Sequence, residues 1–355
     1  MHLLAFVVGT SIVVSVMWDA FETLVLPRTP RRRLRLTRCF YRVTWSLWAA
    51  SARCIRSHDR REQYLAVYGP LSVFLLLNIW AAGLVIGFAL LQWSHRELLV
   101  NIHGAAHFSD DLYMSATTLF ALGLGDVAPR GRAGRLLVVA ETGSSLMLVS
   151  MLFAYIPIVY QSFARRELRV TMLDGWAGSP PTATEILRRI ASSGDVSLYE
   201  RVFAEWEHWC ADLAESHLSY PVIGYFRSLH PRQSWVAALT AVLDATALVQ
   251  IGLEGVPSWR AHTAFAMARR AAVDLAYLLG TPLPPVEDRL PPGELANVRS
   301  TLERAGLRPN RSKAADQALI ALRESYEPHV AALSSRLMMP WPGWRAEPGT
   351  RDNAL

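Results

Sequence analysis

Three stretches of the chain are apolar at nearly every position, and most of the remainder interleaves apolar and polar residues at helical spacing. The stretches Leu3 to Leu26, Tyr64 to Trp93 and Ala133 to Phe163 are each long enough to cross a bilayer, which takes roughly 20 residues of helix. A secretory signal needs a basic start and a small-residue cleavage site, whereas only His2 precedes the first apolar run. That run therefore reads as a retained membrane helix over residues 1–26. From about Thr171 the pattern changes to mixed charged and apolar residues, with loops at Gly178-Ser179-Pro180-Pro181, Pro282 to Pro285 and Pro291-Pro292. An all-helical domain over 171–338 follows from that spacing. The end, 339–355, is rich in proline, tryptophan and polar residues and is expected to be a flexible or loosely docked tail. The fold class predicted is all-α, with membrane-spanning helices followed by a helical domain.

Composition agrees with that division. Of 355 residues 52% are apolar and 19% charged, more apolar and less charged than an average soluble domain. The net charge of +6 is carried by arginine, with Lys313 the only lysine. Placement matters more than total. Residues 27–63 hold Arg28, Arg31, Arg32, Arg33, Arg35, Arg38, Arg42, Arg53, Arg56, Arg60 and Arg61 against Asp59 and Glu62, which predicts a cytoplasmic loop. The N-terminus is then outside, the second span runs outward and the third inward, and Arg165, Arg166 and Arg169 meet the cytoplasm. The C-terminal domain is placed in the cytoplasm of a multi-pass cell-membrane protein. Cys39, Cys54 and Cys210 form no C-x-x-C pair and are expected to be reduced. Within the basic linker, Leu36, Phe40, Val43, Trp45, Leu47, Trp48 and Cys54 give an apolar face, which suits either an interfacial helix or a plain connector.

Between the second and third spans, Ser109 to Pro129 reads SDDLYMSATTLFALGLGDVAP, too short and too polar at its ends for two crossings. It reads as a re-entrant half-helix followed by an extended glycine-bearing strand. Ser109 is the expected cap, Asp110 and Asp111 occupy the first turn, and helix should end near Phe120. Gly123 and Gly125 alternate with Leu122 and Leu124, a spacing that frees backbone carbonyls to turn to one side. Irregular backbone at membrane depth is tolerated only against protein or a watery path.

The set Tyr113, Ser115, Thr117, Thr118 and Leu119, followed by Gly123-Leu124-Gly125-Asp126 and Pro129, resembles the pore signature of potassium channels. The resemblance covers residues 64–163 and implies an outer helix, pore helix, selectivity filter and inner helix, assembled as a homotetramer in the lipid bilayer. It implies that Ala121, Leu122, Gly123, Leu124 and Gly125 line the filter, that Asp126 sits at its outer mouth, and that the pore helix carrying Thr117 and Thr118 points its negative end at a permeating K+. Two residues depart from the pattern. Leu124 stands where the family has tyrosine or phenylalanine, and Ala121 replaces a threonine whose hydroxyl makes the innermost ion site, so a less selective cation pore is an alternative.

Gly143 and Pro157 in the third span are candidate gating hinges by the same resemblance, or else a packing glycine and a fixed kink. Glu141 is expected to pair behind the filter, to join the loop carrying Asp126, or to reach an interface. Asp19 and Glu22 share a helix face near Arg28 and the Arg31 to Arg33 cluster, their expected partners. Arginines at every third position are missing from all three spans, so a voltage sensor is not expected. His95, His103 and His107 stand outside, where they offer pH sensitivity.

In the C-terminal domain, Leu198 to Leu218 with Glu200, Glu205, Glu207 and Glu215, then Arg227, His230, Trp235 and Asp244, reads either as a pocket for an unknown ligand or protein or as satisfied core. A strand-helix nucleotide module, hydrolase motifs, phosphate loops and metal clusters are missing from the sequence. An enzyme, a cofactor other than permeant K+ and a nucleic-acid partner are not expected. The functions left open are a gated cation channel and a non-conducting receptor or scaffold that keeps the pore fold.

Overall fold

The computed structural model describes residues 2–26, 35–95, 98–101, 107–230, 233–285 and 287–346. The chain is helical almost throughout, with two pairs of very short strands. It divides into two compact units, residues 1–55 with 67–160, and residues 56–66 with 161–355.

The first unit holds α1 (His2–Leu24), α2 (Leu36–Arg53), most of α3 (His58–Trp93), β1 (Leu99–Asn101), α4 (Phe108–Leu119), β2 (Val127–Pro129) and the first part of α5 (Gly131–Ala177). Helices α1, α3 and α5 are long and apolar enough to cross a membrane. Their joint core is Val16, Ala20, Phe40, Leu76, Trp80, Leu84, Phe88, Leu91 and Leu148. Gly83 and Gly87 on α3 form a small-xxx-small pair against which α1 packs closely. A β-carbon on Gly9 would lie 2.7 Å from the Gly87 carbonyl oxygen, and one on Gly87 would lie 2.7 Å from a Val13 methyl. Gly9→Ala is therefore expected to push the helices apart and cost about 1–3 kcal/mol. Thermal unfolding of the detergent-solubilised protein reads the effect, and an unchanged midpoint would contradict this packing.

Asp19 is buried and accepts from the Thr37 amide at 3.2 Å, the Thr37 hydroxyl at 2.5 Å and the Trp80 indole at 3.0 Å. The carboxylate thus sits at the N-terminus of α2, where the unpaired amides favour negative charge. Glu22 accepts from the Trp18 indole and pairs with Arg35 at 3.2 Å. Arg35, Thr37 and Trp80 are thus partners of this pair, and the expected partners Arg28 and Arg31 to Arg33 lie outside the described residues. The linker does form a helix, α2, which buries Phe40, Trp45, Ala49 and Ala52 while exposing Leu36, Val43 and Leu47.

The second unit contains the rest of α5, then α6 (Ala183–Ser192), α7 (Ser197–Ser219), a 3-10 turn at Pro221–Tyr225, α8 (Trp235–Gly252), β3 (Leu253–Glu254), α9 (Trp259–Leu278), α10 (Pro292–Arg304), β4 (Arg308–Pro309), α11 (Lys313–Glu324) and α12 (Glu327–Leu337). Helix α8 is buried on every side from Trp235 to Val249, as its all-round apolar sequence requires. Two boundaries differ from expectation. Helix α5 continues past Phe163 to Ala177, with no glycine or proline between Pro157 and Gly175, and the longer segment of the second unit begins at Gln161, earlier than Thr171. The tail is also docked as far as Ala346. Trp344 is buried, its carbonyl accepts from the amide and hydroxyl of Thr184, and Arg345 makes a bidentate pair with Glu294. Residues 347–355 lie outside the described residues.

Arg289 organises this end of the unit. It bonds both Asp244 carboxylate oxygens at 2.9 and 3.1 Å, Glu327 at 2.9 Å and the Pro342 carbonyl at 2.8 Å, beneath the rings of Trp341 and Trp344. Burial works against its charge, but the Asp244 carboxylate more than offsets this and holds the guanidinium above its ordinary pKa. Arg227 is tied to the Leu337 carbonyl at 2.6 Å and to Glu62, and Trp235 is core. The residues that could have formed one pocket in the sequence are thus spread over separate packing roles.

Arg166 on α5 is buried and donates to the Ile223 and Phe226 carbonyls at 2.9 and 2.8 Å, to Glu167 at 3.0 Å and to His217 Nε2 at 3.3 Å. His217 Nδ1 lies 2.9 Å from the Leu213 carbonyl, which only a donor satisfies, so Nε2 is the acceptor and the ring is neutral. Burial and the Arg166 charge both push its pKa well below the ordinary 6.5. A depressed histidine stabilises the fold above its unfolded pKa, and that stability is lost as pH falls below it, by at most about 1.4 kcal/mol per pH unit. The unfolding midpoint should therefore drop between about pH 6.5 and pH 5.5 more steeply in the native protein than in His217→Gln, which keeps an acceptor but does not titrate. Equal slopes would contradict the neutral ring.

Candidate functional site

Helix α4 is short because both its ends are closed locally. Its N-cap is His107, whose amide donates to the Asp110 carboxylate at 2.7 Å, half of a capping box. Ser109, the expected cap, lies inside the first turn. At the other end the Leu122 amide donates to the Thr117 carbonyl at 2.8 Å and the Ala121 amide to the Thr118 carbonyl at 3.1 Å. This is a Schellman closure, with Ala121 at the left-handed position that glycine usually fills. Ala121 has φ +55°, Gly123 φ +54° and Gly125 φ +84°, while Leu122 and Leu124 between them do not enter that region. Positive φ thus recurs at every second residue of the stretch. All five residues from 121 to 125 are exposed in the single chain, and added β-carbons at Gly123 and Gly125 would meet nothing within 4 Å. Conformation, not crowding within the chain, is what requires glycine there.

The strand is held at both sides. After it, β2 pairs antiparallel with β1, Leu99 opposite Pro129 and Asn101 opposite Val127. Leu99, Met114 and Val127 form a small core with Val138, and the Arg130 amide donates to the Leu98 carbonyl at 2.6 Å. A β-carbon on Gly134 would lie 2.6 Å from that carbonyl oxygen, so glycine there lets α5 start against the strand pair. Tyr113 on α4 lies close to Asp126, the half-buried residue just past the strand.

Behind α4 is a buried polar contact among three elements. Glu141 on α5 is fully buried, and its carboxyl oxygens are met by the Ser115 hydroxyl on α4 and by the Gln92 amide of α3 at 2.9 Å. A carboxyl at membrane depth needs such partners, and here they fix α4 between the two long helices. Of the three positions considered for Glu141, it occupies the one behind the loop; Gln92 was not anticipated, and its signal is only that a polar residue interrupts an apolar span. Thr117 is buried and donates to the Met114 carbonyl, and Thr118 is half-buried. Gly143 and Pro157 lie within α5, which runs unbroken through both, and a β-carbon at Gly143 would touch nothing within 4 Å, so no neighbour in the chain requires glycine there. His95 packs edge-on to Phe6, and His103 lies outside the described residues. Among the described residues no cluster of side chains suits a metal ion.

Residues 74–162 match the family model described as an ion channel. The match starts within α3, takes in α4 and residues 121–126, and ends within α5, so it spans the geometry above. Over 226 residues the chain is 25% identical to the membrane protein YdjJ of Bacillus subtilis (strain 168), described as uncharacterized. That alignment covers 61% of this chain and 62% of the relative, less than two thirds of its length. No solved structure matches the chain significantly.

Proposed function

We propose that four copies of this chain surround a cation path lined by the backbone carbonyls of residues 121–125, and that the protein is a potassium-type channel of the cell membrane. The observation that carries this reading is the alternation of positive φ at Ala121, Gly123 and Gly125, directly after a short helix held between two spanning helices. One strand cannot replace the hydration shell of an ion. Four related by a rotation axis can, through stacked rings of carbonyl oxygens. The apolar surface of α5 supports assembly: only 17% of its most apolar window is buried in the single chain, and Leu136, Val139, Leu146 and Phe153 are exposed. Lipid and neighbouring subunits are the natural cover for such a surface.

In this mechanism K+ sheds water at the mouth near Asp126 and passes between carbonyl rings, while the C-terminal end of α4 favours a cation beneath them. The innermost ring lacks a hydroxyl because residue 121 is alanine, so selectivity for K+ over Na+ is weaker than a threonine would give. The N-terminus is outside and the C-terminal helical unit cytoplasmic, where it gates the pore through α5. The protein performs no catalysis. Crosslinking the gently solubilised protein tests assembly: the ladder should end at four chains, and a protein that stays monomeric or dimeric contradicts the pore.

A further inference from the structure

Within the first unit, a groove of about 280 Å³ runs between α2 and α3. Phe40, Leu47 and Trp48 of α2 and Leu71 and Leu75 of α3 form its walls. The hydroxyls in its lining are already engaged within the chain. Thr44 donates to the Phe40 carbonyl at 2.7 Å and so accepts from Tyr68 at 2.9 Å, Ser72 donates to the Gly69 carbonyl at 2.7 Å, and Ser51 donates to the Trp48 carbonyl at 2.8 Å. A polar ligand finds no free donor among these hydroxyls, whereas hydrocarbon entering the groove leaves every one of them satisfied. Leu47 and Leu75 are exposed in the single chain. Tyr68 to Leu75 belong to the apolar stretch of α3, a helix long and apolar enough to cross a membrane, so the groove opens toward acyl chains.

Helix α2 also separates apolar from charged residues around its circumference. Arg38 and Arg42 stand two positions before and after Phe40, which puts them across the helix from it, and Arg53 falls on their side. All three are exposed, and among the described residues none of them is ion-paired, whereas Arg35 pairs with Glu22. A helix of this kind lies at a membrane surface with its apolar side among acyl chains and its arginines attracting anionic headgroups. We infer that the groove between α2 and α3 holds one acyl chain of an anionic phospholipid, whose headgroup stays at the level of α2. The groove walls select a hydrocarbon chain, and the unpaired arginines select the sign of the headgroup. That the lipid belongs to the inner leaflet rests on the orientation proposed above; the binding itself does not.

Photolabelling of the full-length protein in phosphatidylcholine liposomes tests this without reference to conduction. The probe is a trace of phosphatidylglycerol with a diazirine in one acyl chain, and labelled residues are mapped by mass spectrometry. Label should concentrate in residues 40–51 and 68–75, at least tenfold above the exposed apolar positions Leu4 and Phe153 in the same sample, and unlabelled phosphatidylglycerol should compete it away. The same diazirine chain on phosphatidylcholine should label the groove severalfold less. Leu47→Trp, at an exposed position where folding is not at stake, narrows the groove and should cut its labelling severalfold while labelling at Phe153 is unchanged. Replacing Arg38, Arg42 and Arg53 together by glutamine should equalise the two lipids. Even labelling of all apolar surfaces, which means bulk lipid only, would overturn the assignment. So would an unlabelled groove, as when a second copy of the chain covers it, groove labelling that Leu47→Trp leaves unchanged, or equal labelling of the native protein by the two lipids. Because labelling reads no flux, a protein that fails to conduct leaves the result standing.

Discussion

Gly125→Ala is expected to lower cation flux through the reconstituted protein to the level of protein-free liposomes, and Gly123→Ala to lower it at least tenfold. At φ +84° and +54° these residues occupy backbone regions that a β-carbon disfavours by roughly 1–2 kcal/mol each. In a tetramer that penalty applies four times at the same level of the pore. The chain's cheapest response is to rotate the peptide plane, since nothing within 4 Å resists movement there. Rotation turns a carbonyl away from the axis and leaves an ion with an incomplete shell. Tetramer yield should change little, because the strand contributes little buried surface within a chain. Unaltered flux in both variants would remove the filter from residues 121–125.

The same geometry changes what is expected at Ala121. In sequence terms threonine there looks like a plain gain of one oxygen ring. At φ +55° a β-branched side chain is strained, so Ala121→Thr should raise K+ over Na+ permeability while lowering thermal stability.

Arg166→Leu should cost the protein about 3–5 kcal/mol, the penalty for breaking a buried charge pair from one side. The substitution leaves Glu167 buried without its guanidinium, and it strips donors from the Ile223 and Phe226 carbonyls and from His217. Among the described residues Glu167 then keeps the Ser228 hydroxyl and the Leu229 amide, both at 3.2 Å. For a unit of this size the loss corresponds to a fall on the order of 10 °C in its unfolding midpoint. Glu167→Gln is milder because it preserves an acceptor. A midpoint for Arg166→Leu within a degree or two of the native value would mean that this network is not what fastens α5 to the 221–229 segment.

Much of the stretch from His107 to Asp126 was legible in the sequence, because its chemistry is local. Glycine spacing forecasts positive φ at 123 and 125, and Asp110 and Asp111 forecast a helix start, with the cap misplaced by two residues. What was not legible depends on partners far along the chain. Asp19 finds Trp80 across 61 positions and Glu141 finds Gln92 across 49, and no local pattern encodes either. The three-residue strands β1 and β2 are too short for alternation to register. Between a flexible and a docked tail the sequence could not choose for a related reason: Trp341 and Trp344 lie over Arg289 at 4.7 and 5.5 Å, and that guanidinium lies some fifty positions upstream. The Gly83-x-x-x-Gly87 pair marks the α1 contact.

The most direct test of the pore is planar-bilayer recording of the native protein beside Gly125→Ala, at equal protein loading and with K+ and then Na+ as the charge carrier. The account predicts discrete cation-selective openings for the native protein, with K+ carrying more current than Na+, and none for the variant. Openings of equal conductance in the variant, or anion-selective current in the native protein, would contradict it.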